Sequence, residues 1–110
     1  LMCDGEGTTR LFRVKVRGAK SQRDADRVGK TVVGSPLVKT AVHGSDPHWG
    51  RLAMAVGRSE AAVKPAKLSL AIGGISVMSE GVNIPASIPQ LEKHMRGDEV
   101  LFDIDLGRWK

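Results

Sequence analysis

The chain has 110 residues, of which 41% are hydrophobic and 26% charged, values typical of one soluble globular domain. This hydrophobic content excludes a fully disordered chain, and no apolar run approaches the length of a transmembrane helix. The only cysteine, Cys3, cannot form an internal disulfide or bind zinc alone, which favours a reducing compartment. The first residues do not resemble a signal peptide. Because the sequence begins without methionine, we expect an excised piece of a longer protein.

The net charge of +5 is concentrated near the start of the chain. Residues 10–30 contain eight basic and two acidic side chains, a net of +6, whereas the remainder contains nine basic and ten acidic, a net of −1. A basic stretch can indicate a nucleic-acid site. However, the chain has only two Phe, two Trp and no Tyr with which to stack on bases. We therefore favour a solvated strand and helix surface, and we expect neither a nucleic-acid nor a membrane partner.

The first predicted elements are a loop, a strand and a helix. Residues 1–10 are glycine-rich and are interpreted as a loop. Apolar and basic residues alternate over 12–17, which predicts a strand with one polar face that ends at Gly18. A helix is then predicted from Ser21, a favourable N-cap, to Gly34. Its apolar face consists of Ala25, Val28, Val32 and Val33.

The middle of the chain is less uniform. Residues 37–42 are apolar, but so short a run does not distinguish a strand from a helical turn. A second helix is predicted with Asp46 as its N-cap, Pro47 as its first residue and Gly57 at its end. Its apolar face is Trp49, Leu52, Ala53 and Val56. Residues 58–66 are interpreted as a connection.

The last third is predicted to contain a hairpin, a short helix and a final strand. Gly73 and Gly74 suit a two-residue hairpin turn. The segments are a strand at 68–72, its return at 75–77, an irregular stretch at 79–89, a helix at 89–95 and a strand at 100–106. The element order predicts an α+β (mixed α/β) fold in which a sheet has helices packed on one face.

Glu6 is the first candidate for a functional residue. It lies between Gly5 and Gly7, and glycines allow a backbone to turn tightly and to approach a ligand. A carboxylate held there can bind an ammonium group or take part in proton transfer. On the pattern alone the signal is weak, and a simple acidic turn is the favoured interpretation.

The histidines have plainer structural interpretations. His48, Trp49 and Arg51 fall in a predicted first helical turn, where anions are favoured. We favour the plainer interpretation, a capped helix with a buried Trp and an exposed His and Arg. His43, His48 and His94 are widely spaced without ligand-type pairs, so we expect no metal site.

Two further features of the sequence, a single cysteine and an aspartate pair, do not form a complete set of catalytic residues. Cys3 has no neighbouring base in the sequence, so we expect a packed small side chain and not a nucleophile. Asp103 and Asp105 share one strand face, and we expect them to be exposed or to contact the basic strand.

Five strings, in matching order and spacing, resemble the glutamate N-acetyltransferase family, also called ornithine acetyltransferase. They are DGEGTTR at 4–10, GAKS at 18–21, SPLVKTA at 35–41, DPHWGR at 46–51 and DLGR at 105–108. The first and fourth are similar to the family's D-G-E-G-A-T-K and D-P-N-W-G-R. The resemblance covers essentially the whole chain and identifies it as the C-terminal part of a β chain, a single domain of the ornithine acetyltransferase fold.

The resemblance implies a cytoplasmic enzyme of arginine biosynthesis that moves an acetyl group from N-acetylornithine to glutamate. The family precursor cuts itself before a threonine, and this new N-terminal threonine carries the acetyl group. The α and β chains then stay together as α2β2. No cofactor is implied, although some members also use acetyl-coenzyme A as donor.

The resemblance assigns one functional residue to this chain. Glu6 matches the glutamate that contacts substrate, in a substrate-contact loop at 1–10 that precedes an α/β domain at 11–110. The nucleophile and the other functional residues match no position here. We therefore expect no catalytic residue in the chain and no activity from the chain alone. Thr8 and Thr9 do not match the nucleophile.

Three departures from the family pattern matter, and two other hypotheses stay open. His48 replaces an asparagine, Thr8 replaces an alanine, and Trp109 and Lys110 do not continue the final motif. One alternative is an amidase or aminopeptidase relative with an N-terminal nucleophile, which hydrolyses its acyl-enzyme. The other is a non-catalytic binding module.

Overall fold

The computed structural model describes residues 1–7 and 10–107, and in these ranges six strands form one sheet against which four α-helices pack. The strands are β1 (Met2–Gly7), β2 (Arg10–Arg17), β3 (Ser69–Ile72), β4 (Ile75–Ser79), β5 (Val82–Asn83) and β6 (Glu99–Asp105). The helices are α1 (Gln22–Gly34), α2 (Pro36–His43), α3 (Gly50–Gly57) and α4 (Ile88–Met95), with a short 3-10 helix at Pro65–Lys67. The predicted α+β class is confirmed.

The described helices include none that is long and apolar enough to cross a membrane.

The sheet is mixed, with the order β1-β2-β6-β3-β4-β5. Strands β2 and β6 are parallel neighbours, and the other pairs are antiparallel. The register places Val14 beside Phe102 and Val16 beside Ile104. The second and the last strand of the chain therefore lie side by side, and β1 forms one edge of the sheet.

The core lies between the sheet and the helices. Phe12, Val14 and Val16 of β2 are buried, whereas the residues between them are exposed, which confirms the predicted alternating strand. Burying side chains of this kind contributes about 1.5–3 kcal/mol each before entropic costs. The opposite side, called the outer face below, carries Asp4 and Glu6 of β1, Arg13, Lys15 and Arg17 of β2, and Asp103 and Asp105 of β6.

Serines set the helix boundaries on the covered side. The Asp24 N–H donates to Ser21 Oγ (3.1 Å), which confirms the start of α1. Helix α1 ends at Gly34, as predicted. The undecided run at 37–42 is helical, because Ser35 caps it and Pro36 occupies its first turn.

The predicted loop at 1–10 is wrong for most of its length, because Met2–Gly7 form strand β1, paired with β2. A Cβ atom on Gly5 would lie 2.3 Å from the Phe12 ring. Gly5 is therefore required by packing over a core aromatic side chain and not by a turn. Thr8 and Thr9 lie outside the described residues.

The predicted start of the second helix is also wrong. Helix α3 begins at Gly50, after Trp49 as its N-cap, and ends at Gly57 as predicted. Asp46 Oδ1 instead accepts from the His48 N–H (3.0 Å) in the loop before the helix. Asp favours such local turns as readily as helix caps, so the sequence alone did not separate the two.

The remaining predicted elements are largely confirmed. Gly73 and Gly74 form the hairpin turn with φ of +59° and +80°, the values that a two-residue turn of this kind needs. The short helix and the final strand are α4 and β6, with Leu91 and Met95 buried. The stretch at 79–89 contains the two-residue strand β5 and is otherwise irregular up to α4.

Candidate functional site

Glu6 lies near the end of edge strand β1, paired with Leu11. Its side chain is exposed, and it makes no hydrogen bond or ion pair with any residue in the described ranges. A carboxylate in this position keeps its acceptor capacity for a ligand.

Arg10 ties the start of β2 to two distant loops. Arg10 begins β2 opposite Gly7. Its Nη1 donates to Ser45 Oγ (2.6 Å), and its Nη2 donates to the Gly97 carbonyl. These partners lie 35 and 87 residues away along the chain. No sequence spacing indicated the cluster, and the sequence analysis missed it.

The segment around His48 forms a surface cluster with internal partners. The His48 ring stacks on Trp49, with centroids 6.2 Å apart and 19° between the planes. Trp49 Nε1 donates to Asn83 Oδ1 (3.2 Å), and Arg51 Nη1 lies 3.9 Å from Asp46 Oδ2. Because Asp46 partly neutralises Arg51, the cluster favours the structural interpretation over an anion site. Its cavity, of about 10 Å³, is too small for a substrate.

The three histidines belong to different segments, His43 to α2, His48 to the loop before α3 and His94 to α4. His94 has a structural partner. Its Nε2 accepts a hydrogen bond from the Leu101 N–H (3.0 Å), which links α4 to β6. In the part of the chain that the structure describes, no group of three His, Cys, Asp or Glu side chains is placed to hold a metal ion.

Cys3 is half-buried against helix α1, so the predicted packing role is confirmed. A Cβ atom on Gly29 would lie 2.5 Å from Cys3 Sγ. Burial raises the pKa of the thiol, and the Asp26 carboxylate raises it further. Both effects disfavour the thiolate that a nucleophilic cysteine needs.

Asp103 and Asp105 share the outer face beside the basic strand, as predicted. Asp105 Oδ2 lies 3.6 Å from Arg17 Nε, and Asp105 Oδ1 accepts from the Gly107 N–H (2.9 Å). A Cβ atom on Gly18 would lie 2.4 Å from that carboxylate. The glycine after β2 is thus in direct contact with the end of β6, two segments that both belong to the resembling strings.

A small open cavity lies beside this aspartate pair. It measures about 80 Å³ and is lined by Arg17, Asp103, Asp105 and three serines of β3 and β4. Arg17 and the Gly107 N–H already occupy the Asp105 carboxylate. Asp103 lines the cavity without such a partner in the described ranges, but the cavity matches no functional residue of the resembling family, whereas Glu6 does.

Comparison with known proteins gives one consistent family. The ArgJ family model matches residues 1–110. The arginine biosynthesis bifunctional protein ArgJ of Deinococcus radiodurans is 46% identical over 108 residues, which are 97% of this chain and 27% of that protein. Glutamate N-acetyltransferase Oat2 of Streptomyces clavuligerus is 44% identical over 109 residues, covering 94% of this chain and 28% of that protein.

A solved structure shares the fold. The crystal structure of arginine biosynthesis bifunctional protein ArgJ from Bacillus halodurans matches 96% of this chain with a TM-score of 0.89 and 34% sequence identity. The match covers 50% of that crystallised chain. The present chain therefore spans about a quarter of its curated relatives and half of the solved chain.

Proposed function

Because this chain belongs to the ArgJ family, we propose that it is part of a longer acetyltransferase of arginine biosynthesis. The proposed reaction moves an acetyl group from N-acetylornithine to glutamate through an acetyl-threonine intermediate. The names of the relatives, a glutamate N-acetyltransferase among them, support this reaction class. The nucleophilic threonine belongs to a part of the protein outside this chain, so the chain alone is expected to be inactive.

Glu6 is the proposed contact for a substrate ammonium group. The observation that carries this role is its exposed carboxylate near the end of edge strand β1, without a partner in the described ranges. Both proposed substrates are amino acids, and a carboxylate binds an ammonium group through a charge-assisted hydrogen bond.

The subunit assembly and the cellular location are also proposed, on the resemblance to the family. The precursor is cut into α and β chains that form α2β2, and the enzyme works in the cytoplasm without a resident cofactor. Acetyl-coenzyme A is an alternative donor.

The charges of the outer face support a protein without a nucleic-acid partner. Arg13 Nε lies 3.0 Å from Asp4 Oδ1 and 3.4 Å from Glu99 Oε1. Arg17 is similarly close to Asp105. Since acidic neighbours accompany these arginines, the basic strand is proposed to meet solvent or the rest of the enzyme, and not phosphates.

The test uses the full-length protein with N-acetylornithine and glutamate, and it quantifies N-acetylglutamate and acetate. Formation of N-acetylglutamate is expected. Acetate alone would indicate an amidase-type hydrolase, and neither product from folded protein would favour a binding module.

Glu6→Gln tests the site. Losing a charge-assisted hydrogen bond costs about 1.5–3 kcal/mol, so we expect kcat/KM to fall about ten- to hundredfold with folding intact. Glu60→Gln is the matched control, because Glu60 is an exposed glutamate outside the substrate-contact loop and has no ion-pair partner in the described ranges. Equal kinetics in Glu6→Gln and the wild type would remove Glu6 from the site.

A further inference from the structure

The strand that carries Glu6 lies at the edge of the sheet. β1 is an edge strand, so its backbone pairs on one side only, with β2. Gly5 and Gly7 flank Glu6, and glycine gives an extended backbone more freedom than any other residue. A carboxylate that must meet a substrate in a fixed geometry needs support from outside such a strand.

Arg10 supplies that support from the neighbouring strand. It pairs with Gly7 in the ladder, one position from Glu6. Its half-buried side chain lies on the helix-covered side, like that of Phe12 two residues later. From there its guanidinium donates to Ser45, in the loop after α2, and to Gly97, in the turn between α4 and β6.

The chemistry of arginine suits this position. A guanidinium is planar and presents several donors in a fixed geometry, so one side chain can bind two acceptors without reorganising. Both acceptors lie at turns, and Ser45 has a positive φ of +54°, an uncommon conformation for a residue other than glycine. The contacts therefore link three chain segments that meet at the same end of the sheet.

We propose that Arg10 is a positioning residue, which anchors the β1–β2 hairpin to these two turns and so holds Glu6 in place for the substrate ammonium group. This role rests on the proposed function of Glu6. In the resembling family motif a lysine stands at this position, so one cationic donor is expected to suffice for part of the role.

The test compares variants of the full-length protein. Arg10→Met removes both contacts, and Arg10→Lys keeps a cationic donor. Ser45→Gly removes one acceptor while giving the positive-φ position the residue that adopts it most readily. Arg23→Met is the control, because Arg23 is exposed near the start of α1. The measurements are KM and kcat for acetyl transfer, the thermal unfolding midpoint, and amide hydrogen exchange of residues 2–7.

Positioning predicts a specific pattern. In Arg10→Met, KM for the amino-acid substrates rises about tenfold with a smaller change in kcat, because a binding contact is misplaced. Exchange of residues 2–7 becomes about tenfold faster in the same variant. Ser45→Gly shows a smaller KM rise without a lower unfolding midpoint, which a purely structural role does not produce. Arg10→Lys restores most of the lost affinity, and Arg23→Met behaves as wild type.

Three results would overturn the proposal. Unchanged exchange of residues 2–7 in Arg10→Met would show that Arg10 does not anchor the hairpin. Normal KM in Arg10→Met and Ser45→Gly, beside an impaired Glu6→Gln, would remove the positioning role and leave the proposed function standing. Normal kinetics in Glu6→Gln would remove the proposed site, and the positioning role with it.

Discussion

The two glycines of the β3–β4 turn differ in their surroundings. Both have positive φ, but a Cβ atom on Gly73 would lie 2.4 Å from the His94 ring, whereas nothing lies within 4 Å at Gly74. The ring is held in turn by its hydrogen bond with the Leu101 N–H. The sequence predicts the turn from the glycine pair, but not the contact, because His94 is distant along the chain.

Gly73→Ala is expected to destabilise the protein more than Gly74→Ala. Each alanine incurs about 1–2 kcal/mol for its left-handed backbone, and overpacking against the His94 ring adds about 1–3 kcal/mol at position 73 alone. Thermal unfolding of both full-length variants measures the difference. Equal unfolding midpoints would show that the ring moves aside without cost.

At the scale of elements, Ser35 joins two helices. Its N–H donates to the Val32 carbonyl (3.2 Å) at the end of α1, and its Oγ accepts from the Val38 N–H (3.3 Å) at the start of α2. The residue is buried, at 7% exposure. A buried N–H left without an acceptor costs more than an exposed one, which water can satisfy.

Ser35→Ala is therefore expected to lower the free energy of unfolding by about 1–2 kcal/mol. Ser21→Ala is the matched control, since Ser21 caps α1 by the same type of bond but is exposed. We expect Ser21→Ala to lower the free energy of unfolding by less, about 0.5–1 kcal/mol. Denaturant unfolding of the full-length variants compares them, and a larger loss in Ser21→Ala would contradict this account.

The elements with regular patterns were predictable, and those governed by tertiary contacts were not. Strand β2, helix α1 and strand β6 follow from alternation or helical spacing combined with caps. Strand β1 lacks such a pattern, because Gly5 occupies the position that packs on Phe12. Helix α3 starts later than its favourable N-cap indicated, because Asp46 is used in a turn.

At the scale of the whole molecule, the candidate site also combines a part that the local sequence predicts with a part that only tertiary contacts determine. Glu6 was found from a motif, and its exposure agrees with a ligand contact. The support around it was not predictable, because Arg10 meets Ser45 and Gly97 only once the sheet and helices have assembled. Local sequence thus locates the charged group, and the global fold determines how it is held.

Strands β2 and β6, which are far apart along the chain, meet in the core of the sheet. Phe12 of β2 and Phe102 of β6 pack edge to face, with ring centroids 5.9 Å apart and 68° between the planes. Gly5 lies against the same Phe12 ring. One aromatic pair therefore connects the glutamate-bearing hairpin to the last strand, and the size of residue 5 is coupled to it.

A double-mutant cycle tests this coupling. Gly5→Ala alone is expected to cost about 1–3 kcal/mol by overpacking against Phe12. In the Phe12→Leu background the smaller side chain leaves room for the new methyl group. The double variant should therefore lose about 0.5–2 kcal/mol less unfolding free energy than the sum of the two single variants. Unfolding of the full-length variants measures each corner of the cycle.

Gly57→Ala is the control for the cycle, because a Cβ atom there meets nothing within 4 Å and its effect should add to that of Phe12→Leu. If Gly5→Ala were equally additive, packing against Phe12 would not explain Gly5. The glycine would then have to be explained by the hairpin backbone or by a ligand beside Glu6. A coupled result instead assigns Gly5 to packing against the Phe12 ring in the core.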